Sequence, residues 1–206
     1  LKKVCSIGLI FILGMILFGC DQTRDPVKNA NEEVPDEKEE KALEDNEANL
    51  VLHTGAAETV IRKIEGADQE VKVINYQIQP YHIAYQVDES FGVPEVKQNQ
   101  ITYSSDNDGY QIIIEMLERT NLEEVVSDLQ EGFETEGYEE SFELESLPLE
   151  ENGLRGKMQF FGYPVKGFIA YEVDEHVLVI TYQYPEVGGD GMYPLLASLR
   201  KSITVQ

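Results

Sequence analysis

The chain has 206 residues, 39 of them acidic and 16 basic, for a formal net charge of −23 at pH 7. A surface of that sign repels nucleic acid and anionic lipid, which argues against either as a direct partner of the folded part. Both cysteines, Cys5 and Cys20, lie near the start, so residues 21–206 hold no thiol for a disulfide or a metal.

Lys2 and Lys3 precede an apolar run from Ile7 to Phe18. It is shorter than the roughly 20 residues a helix needs to cross a bilayer, so it reads as a cleaved leader rather than a retained span. The run closes on Leu17, Phe18, Gly19 and Cys20. This pattern resembles the signal peptide and lipobox of bacterial lipoproteins, with Phe18 bulkier than the residue usual at that place. The resemblance implies loss of residues 1–19, a diacylglyceryl group on Cys20, and a location on the outer face of the cytoplasmic membrane. Two acyl chains on one residue give stable attachment where a single chain binds only marginally.

Residues 20–49 then read as the lipidated cysteine and a disordered acidic tether. From Asp21 to Asn49 there are eleven acidic and four basic side chains, and the few apolar residues, such as Val27, Val34 and Leu43, are scattered. They cannot offset the entropy of ordering a chain. As a random coil the tether spans about 30 Å, enough to lift a domain off lipid headgroups. Residues 50–206 remain for a single domain, long enough to bury a core.

Two β-prone runs, 59–64 and 70–78, flank Glu65-Gly66-Ala67-Asp68-Gln69 and predict a hairpin with a five-residue loop. Tyr81, Ile83, Tyr85 and Val87 alternate with other residues at the period of a half-buried strand. Residues 101–104 and 110–117 predict a second hairpin around Asp106-Asn107-Asp108-Gly109. The clearest helix starts at Thr120, where Thr120 and Glu123 form a T-x-x-E capping box. Leu122, Val125, Val126, Leu129 and Phe133 follow as one apolar stripe, and Gly137 is placed to end it.

The other face of that helix carries Glu123, Glu124, Asp128, Glu131 and Glu134 and is expected to face solvent. Strands are predicted over 138–144, 154–161, 165–173 and 177–184. Val177 to Ile180 is apolar on both faces, which marks a central strand, and the acidic alternation at 142–145 marks an edge. A second helix, capped by Asp190, repeats the stripe with Met192, Leu195, Leu196, Leu199 and Ile203.

This order describes an α+β domain, a mainly antiparallel β-sheet flanked by two amphipathic helices. From about Val71 to Val205 it resembles the PsbP-like family. The residues that carry the likeness are the aromatic strand Tyr81-His82-Ile83-Ala84-Tyr85, the helix ending in Phe133 and Gly137-Tyr138, and the closing Leu196-Ala197-Ser198-Leu199-Arg200. The family has no common catalytic motif, so the resemblance implies no catalytic residue.

Residues 104–115 put Asp106, Asp108, Gly109 and Glu115 at positions 3, 5, 6 and 12 of a calcium loop. An extended stretch from Tyr110 to Glu115 would hold Glu115 roughly 20 Å from Gly109, so the turn reads instead as Asp-Gly hairpin chemistry. Asp106 and Asp108 remain the alternative metal pair. His53, His82 and His176 show no ligand spacing, His176 reads as a solvated hairpin tip, and no metal site or cofactor is expected.

The expectation is therefore a non-catalytic binding or accessory domain, held to the membrane by lipid on Cys20. Its acidic helix face (Glu123, Glu124, Asp128, Glu131) is available to a basic protein partner. A hydrolase with acidic residues distant in sequence, and a calcium-binding surface protein, are the alternatives.

Overall fold

The computed structural model describes residues 50–64, 66–105, 109–138, 142–162 and 165–206. Leu17, Phe18, Gly19 and Cys20, the leader and tether around them, and Asp106 and Asp108 of the calcium-loop reading lie outside the described residues. The elements run β1 (Val51–Ile64), β2 (Ala67–Gln79), β3 (Ile83–Asp88), β4 (Glu95–Lys97), β5 (Gln100–Ser104), β6 (Gln111–Glu118), α1 (Leu122–Thr135), β7 (Glu145–Leu147), β8 (Gly156–Phe161), β9 (Val165–Val173), β10 (His176–Tyr184), α2 (Gly189–Ser202) and β11 (Thr204–Val205).

They form a four-stranded sheet, β1-β2-β3-β11, and a seven-stranded sheet, β4-β5-β6-β10-β9-β8-β7. Every strand pair is antiparallel. The α+β class expected from the sequence is the class observed.

Strand β10 lies in the middle of the large sheet, and every residue from Val177 to Ile180 is buried. Leu178, Ile180, Tyr182 and Tyr184 point to one face. They share a core with the α2 stripe Met192, Leu195, Leu196 and Leu199 and with the inward side chains of the small sheet. Val177 and Val179 point to the other face, where they meet α1.

Four boundaries differ from the sequence reading. The first hairpin has no five-residue loop: Ile64 pairs with Ala67, and Gly66 turns the chain at φ +81. Its first strand also begins earlier, at Val51, because much of this edge strand is exposed and carries no period-two apolar signal. The strand expected over 138–144 is not formed at 138 or 142–144, residues 139–141 lie outside the described residues, and a three-residue strand follows at Glu145–Leu147. Tyr138 belongs to the end of α1, and Phe142 is tied to β8 by its own N–H to the Phe160 carbonyl (3.0 Å) without joining the ladder.

Helix α2 is not capped by Asp190, which lies in its first turn; the N-cap is Gly188, with no side-chain hydrogen bond. A Cβ at Gly188 would stand 2.2 Å from the Tyr110 hydroxyl, so packing excludes a capping side chain there.

The two sheets are joined by tyrosines. Tyr76 of β2 stacks on Tyr85 of β3 with ring centroids 5.7 Å apart, and both meet Tyr103 of β5 edge-on. The Tyr85 and Tyr103 hydroxyls share a 2.8 Å hydrogen bond, and burial pushes both phenols well above their ordinary range. Because an orphaned buried hydroxyl costs more than a pair removed together, Tyr85→Phe is expected to destabilise the domain by about 1–3 kcal/mol. The Tyr85→Phe, Tyr103→Phe double variant should lie closer to wild type than either single one, measured by urea unfolding at constant m.

Candidate functional site

Helix α1 is set by two local devices. At its start Asn121, extended at φ −119 and ψ 159, is the N-cap, and its Oδ1 accepts from the Glu124 N–H at 3.0 Å. Asn121 Nδ2 donates back to Glu124 Oε2 at 3.1 Å. The reciprocal cap thus falls one residue later than the Thr120–Glu123 box predicts, since the Glu123 carboxylate is taken by Arg155 at 2.6 Å. At the other end Gly137 adopts φ +91, its N–H reaches the Glu134 carbonyl, and the Tyr138 N–H reaches the Phe133 carbonyl. This is the Schellman pattern, completed by the Phe133–Tyr138 ring contact.

The stripe Leu122, Val125, Val126 and Phe133 is buried, and Phe133 stacks on Phe161 with centroids 4.2 Å apart. The cluster it enters is built on Phe161, Phe168, Ala170, Val177 and Val179, from β8, β9 and the first half of β10. The remainder of this sheet face, on β5, β6 and the far half of β10, is half-buried at Thr102, Ile113, Glu115, Leu117, Thr181 and Gln183.

Between α1 and this exposed shelf runs a groove of about 390 Å³. Ile113, Leu117 and Thr181 form its floor, and Val125, Leu129 and Phe133 its wall. Asp128, Glu136 and Lys166 stand at its margins. Gly132 lies in the wall, and a Cβ there would meet nothing within 4 Å, so the helix leaves a notch toward open space. Lys166 is held by Glu136 at 2.7 Å and sits 5.3 Å above the Tyr138 ring; the Glu136 hydrogen bond keeps its ammonium above the usual lysine range.

The acidic face is exposed as expected, but its members divide. Glu123 bonds Arg155, which also reaches Glu172, and Glu124 serves the cap. Asp128, Glu131 and Glu134 project from α1 with no charged partner among the described residues. Sequence reasoning found these acids but missed Lys166 and Gly132. An isolated glycine inside an amphipathic helix was the available signal.

The histidines do not converge. His53 is exposed on β1 and His82 lies in the turn before β3. His176, expected to be a solvated tip, is half-buried with its ring edge-on to Tyr81 at 5.2 Å. Tyr81 donates to Glu118, and burial first, then Glu118, pushes its phenol up. Glu115 of the calcium-loop reading lies in β6, where Asn99 Nδ2 donates to it at 3.2 Å. Among the described residues no group of three or more His, Asp or Glu is arranged to hold a metal, and the buried charged and amide side chains are Arg62 and Gln159. The chain matches no family model, no curated protein and no solved structure.

Two outcomes follow from the geometry of α1. Gly132→Ala replaces a helix-interior glycine where the new methyl meets nothing, and should raise unfolding free energy by about 0.5–1 kcal/mol. The Arg155 hydrogen bond also holds the Glu123 carboxyl below the usual carboxylate range. That contribution is present above the unfolded-state pKa and is lost as pH falls through the folded one. In Arg155→Met the Glu123 side-chain NMR titration should therefore move upward, toward the usual carboxylate value.

Proposed function

We propose that this chain is a lipid-anchored extracytoplasmic lipoprotein, attached through Cys20 at the outer face of the cytoplasmic membrane. Its PsbP-like folded part is a non-catalytic binding domain. The anchor rests on the lipobox residues Leu17, Phe18, Gly19 and Cys20 behind a basic and apolar leader. The finer family assignment rests on the order of strands and helices, with α1 and α2 packed on opposite faces of the large sheet.

The observation that carries a binding role is the groove beside α1. Half-exposed Ile113, Leu117 and Leu129 lie next to Asp128 and Glu136, on a helix that also exposes Glu131 and Glu134, in a domain of strongly negative charge. An apolar floor with an acidic margin matches a basic, amphipathic segment of a partner protein, which would bury its apolar side on the floor and set lysines or arginines against α1. Fold alone implies no activity, so the role is argued from this site and not from the architecture.

The test combines two readouts on intact cells. Radiolabelled palmitate should enter the wild-type protein and be absent from Cys20→Ser. Crosslinking should then enrich a basic protein with the wild type, with the yield falling several-fold in Asp128→Lys, Glu131→Lys and in Gly132→Leu, whose side chain extends into open space beside the groove. Absence of label, with a first residue other than Cys20, overturns the anchor. A crosslinking pattern unchanged by the groove variants overturns the docking site.

A further inference from the structure

The groove beside α1 has two aligned borders. Val125, Asp128, Leu129, Gly132, Phe133 and Glu136 line one side at the i, i+3, i+4, i+7, i+8, i+11 spacing, a single stripe along the helix. The other side is β6 from Leu117 to Gln111. Val125 shares its cluster with Val177, which pairs with Leu117, while Glu136 holds Lys166, which pairs with Gln183 and through it faces Gln111. The groove is therefore a trough of about 17–20 Å, at 1.5 Å per helical and 3.4 Å per strand residue.

Whatever lies in this trough must satisfy its own backbone. From Gln111 to Glu115, β6 is laddered to β5 on one side and β10 on the other, and β10 is laddered in turn to β9. The groups of α1 bond within the helix, so neither floor nor wall offers a free row of N–H or C=O groups. An extended segment would bury its own without partners, which is costly; a helix bonds them internally. The width agrees: α1 covers β8, β9 and the first half of β10, and β6 with β5 spans about 10 Å, the diameter of one further helix. Gly132 lets two helices meet closely, toward the short end of the usual separation of about 8–10 Å, because a Cβ there would meet nothing within 4 Å.

The charges select the occupant. Glu136 and Lys166 answer each other, whereas Asp128 has no charged partner among the described residues. Glu115 lies between Ile113 and Leu117 on the same face of β6, and its Oε1 accepts from the neutral Asn99 Nδ2 at 3.2 Å. Acids beside the apolar strip call for cations on the segment that covers it. Like charge disfavours both residues 21–49, with eleven acidic and four basic side chains, and a second copy of formal charge −23.

We propose that the occupant is a basic amphipathic α-helix of another protein, about 12 residues long, lying along α1 and completing a two-helix layer over the large sheet. Its apolar stripe rests on Ile113, Leu117 and Leu129, it approaches α1 most closely at Gly132, and lysines or arginines flanking the stripe meet Asp128 and Glu115. The helix rests on the docking reading above and gives the partner segment its conformation and its place.

Two peptides of about 14 residues, each with equal numbers of leucine and lysine, are the probes: in one the leucines recur at the helical period, in the other they alternate with lysine. A third keeps the helical period with glutamate in place of lysine. Each is titrated into the full chain and followed by the methyl NMR signals of Ile113, Leu117 and Leu129 and by circular dichroism. The helical-period lysine peptide should shift all three signals, gain helicity on binding and have a Kd on the order of 10–100 μM. The alternating and glutamate peptides should bind at least about tenfold more weakly. Gly132→Leu should weaken the first peptide about tenfold and Asp128→Asn several-fold, while Glu70→Gln, exposed on the β1–β2 hairpin, leaves its Kd within about twofold. An alternating peptide that binds as tightly through the same methyls, or a bound peptide that gains no helicity, overturns the helix and leaves the docking site standing. If no peptide shifts those methyls, if the glutamate peptide binds equally well, or if Gly132→Leu binds as tightly as wild type, the docking site falls with it.

Discussion

The architecture depends on strand β10 being apolar on both sides. Side chains on a strand alternate between faces, so its register alone sends Leu178, Ile180, Tyr182 and Tyr184 toward α2 and Val177, Val179, Thr181 and Gln183 toward α1. The groove follows from this division. Thr181 lies in the floor of the groove beside α1, and Tyr182, the next residue, is buried in the core shared with α2. A slip of one residue against β6 or β9 would exchange the two sets and expose the core, so the pairings Ile180 with Ile114 and Ile180 with Ile169 fix core and groove at once.

Charge is distributed by the same economy. Of the ten basic side chains in residues 50–206, Arg62, Lys72, Lys97, Arg155, Lys166 and Arg200 stand in ion pairs within the domain. The Arg62–Asp88 and Arg200–Glu151 pairs are the shielded ones, with Arg62 9% exposed. Lys166 is half-buried beside Glu136, and the remaining pairs are exposed and contribute little to stability individually. Their effect is on the outer field: the cations are largely answered at close range, and the acids of α1 are left to define what a passing molecule meets.

Much of this was legible where one periodicity dominates. Val177 to Ile180 announced a strand covered on both faces, and the stripe from Leu122 to Phe133 announced α1 and its acidic back. The sequence was less informative where tertiary packing decides between local options. Thr120–Glu123 and Asn121–Glu124 are both plausible caps, and Arg155, more than thirty residues away, selects between them by binding Glu123. Asp190 looks like a cap until the Tyr110 hydroxyl is seen to occupy the space at Gly188. The groove beside α1 was not legible, because Ile113, Leu129 and Lys166 belong to three elements that only the folded topology brings together.

The long edge strand β1 also gives the domain a mechanical direction. Tension entering through the backbone at Leu50 arrives at one end of a strand of fourteen residues, laddered to β2 from Val51–Gln79 to Ile64–Ala67. Pulled along its own axis, the ladder is sheared and its bonds share the load; pulled sideways, they open one after another from Val51. The same domain therefore withstands drag in one orientation and peels in another, according to the direction in which a load reaches Leu50.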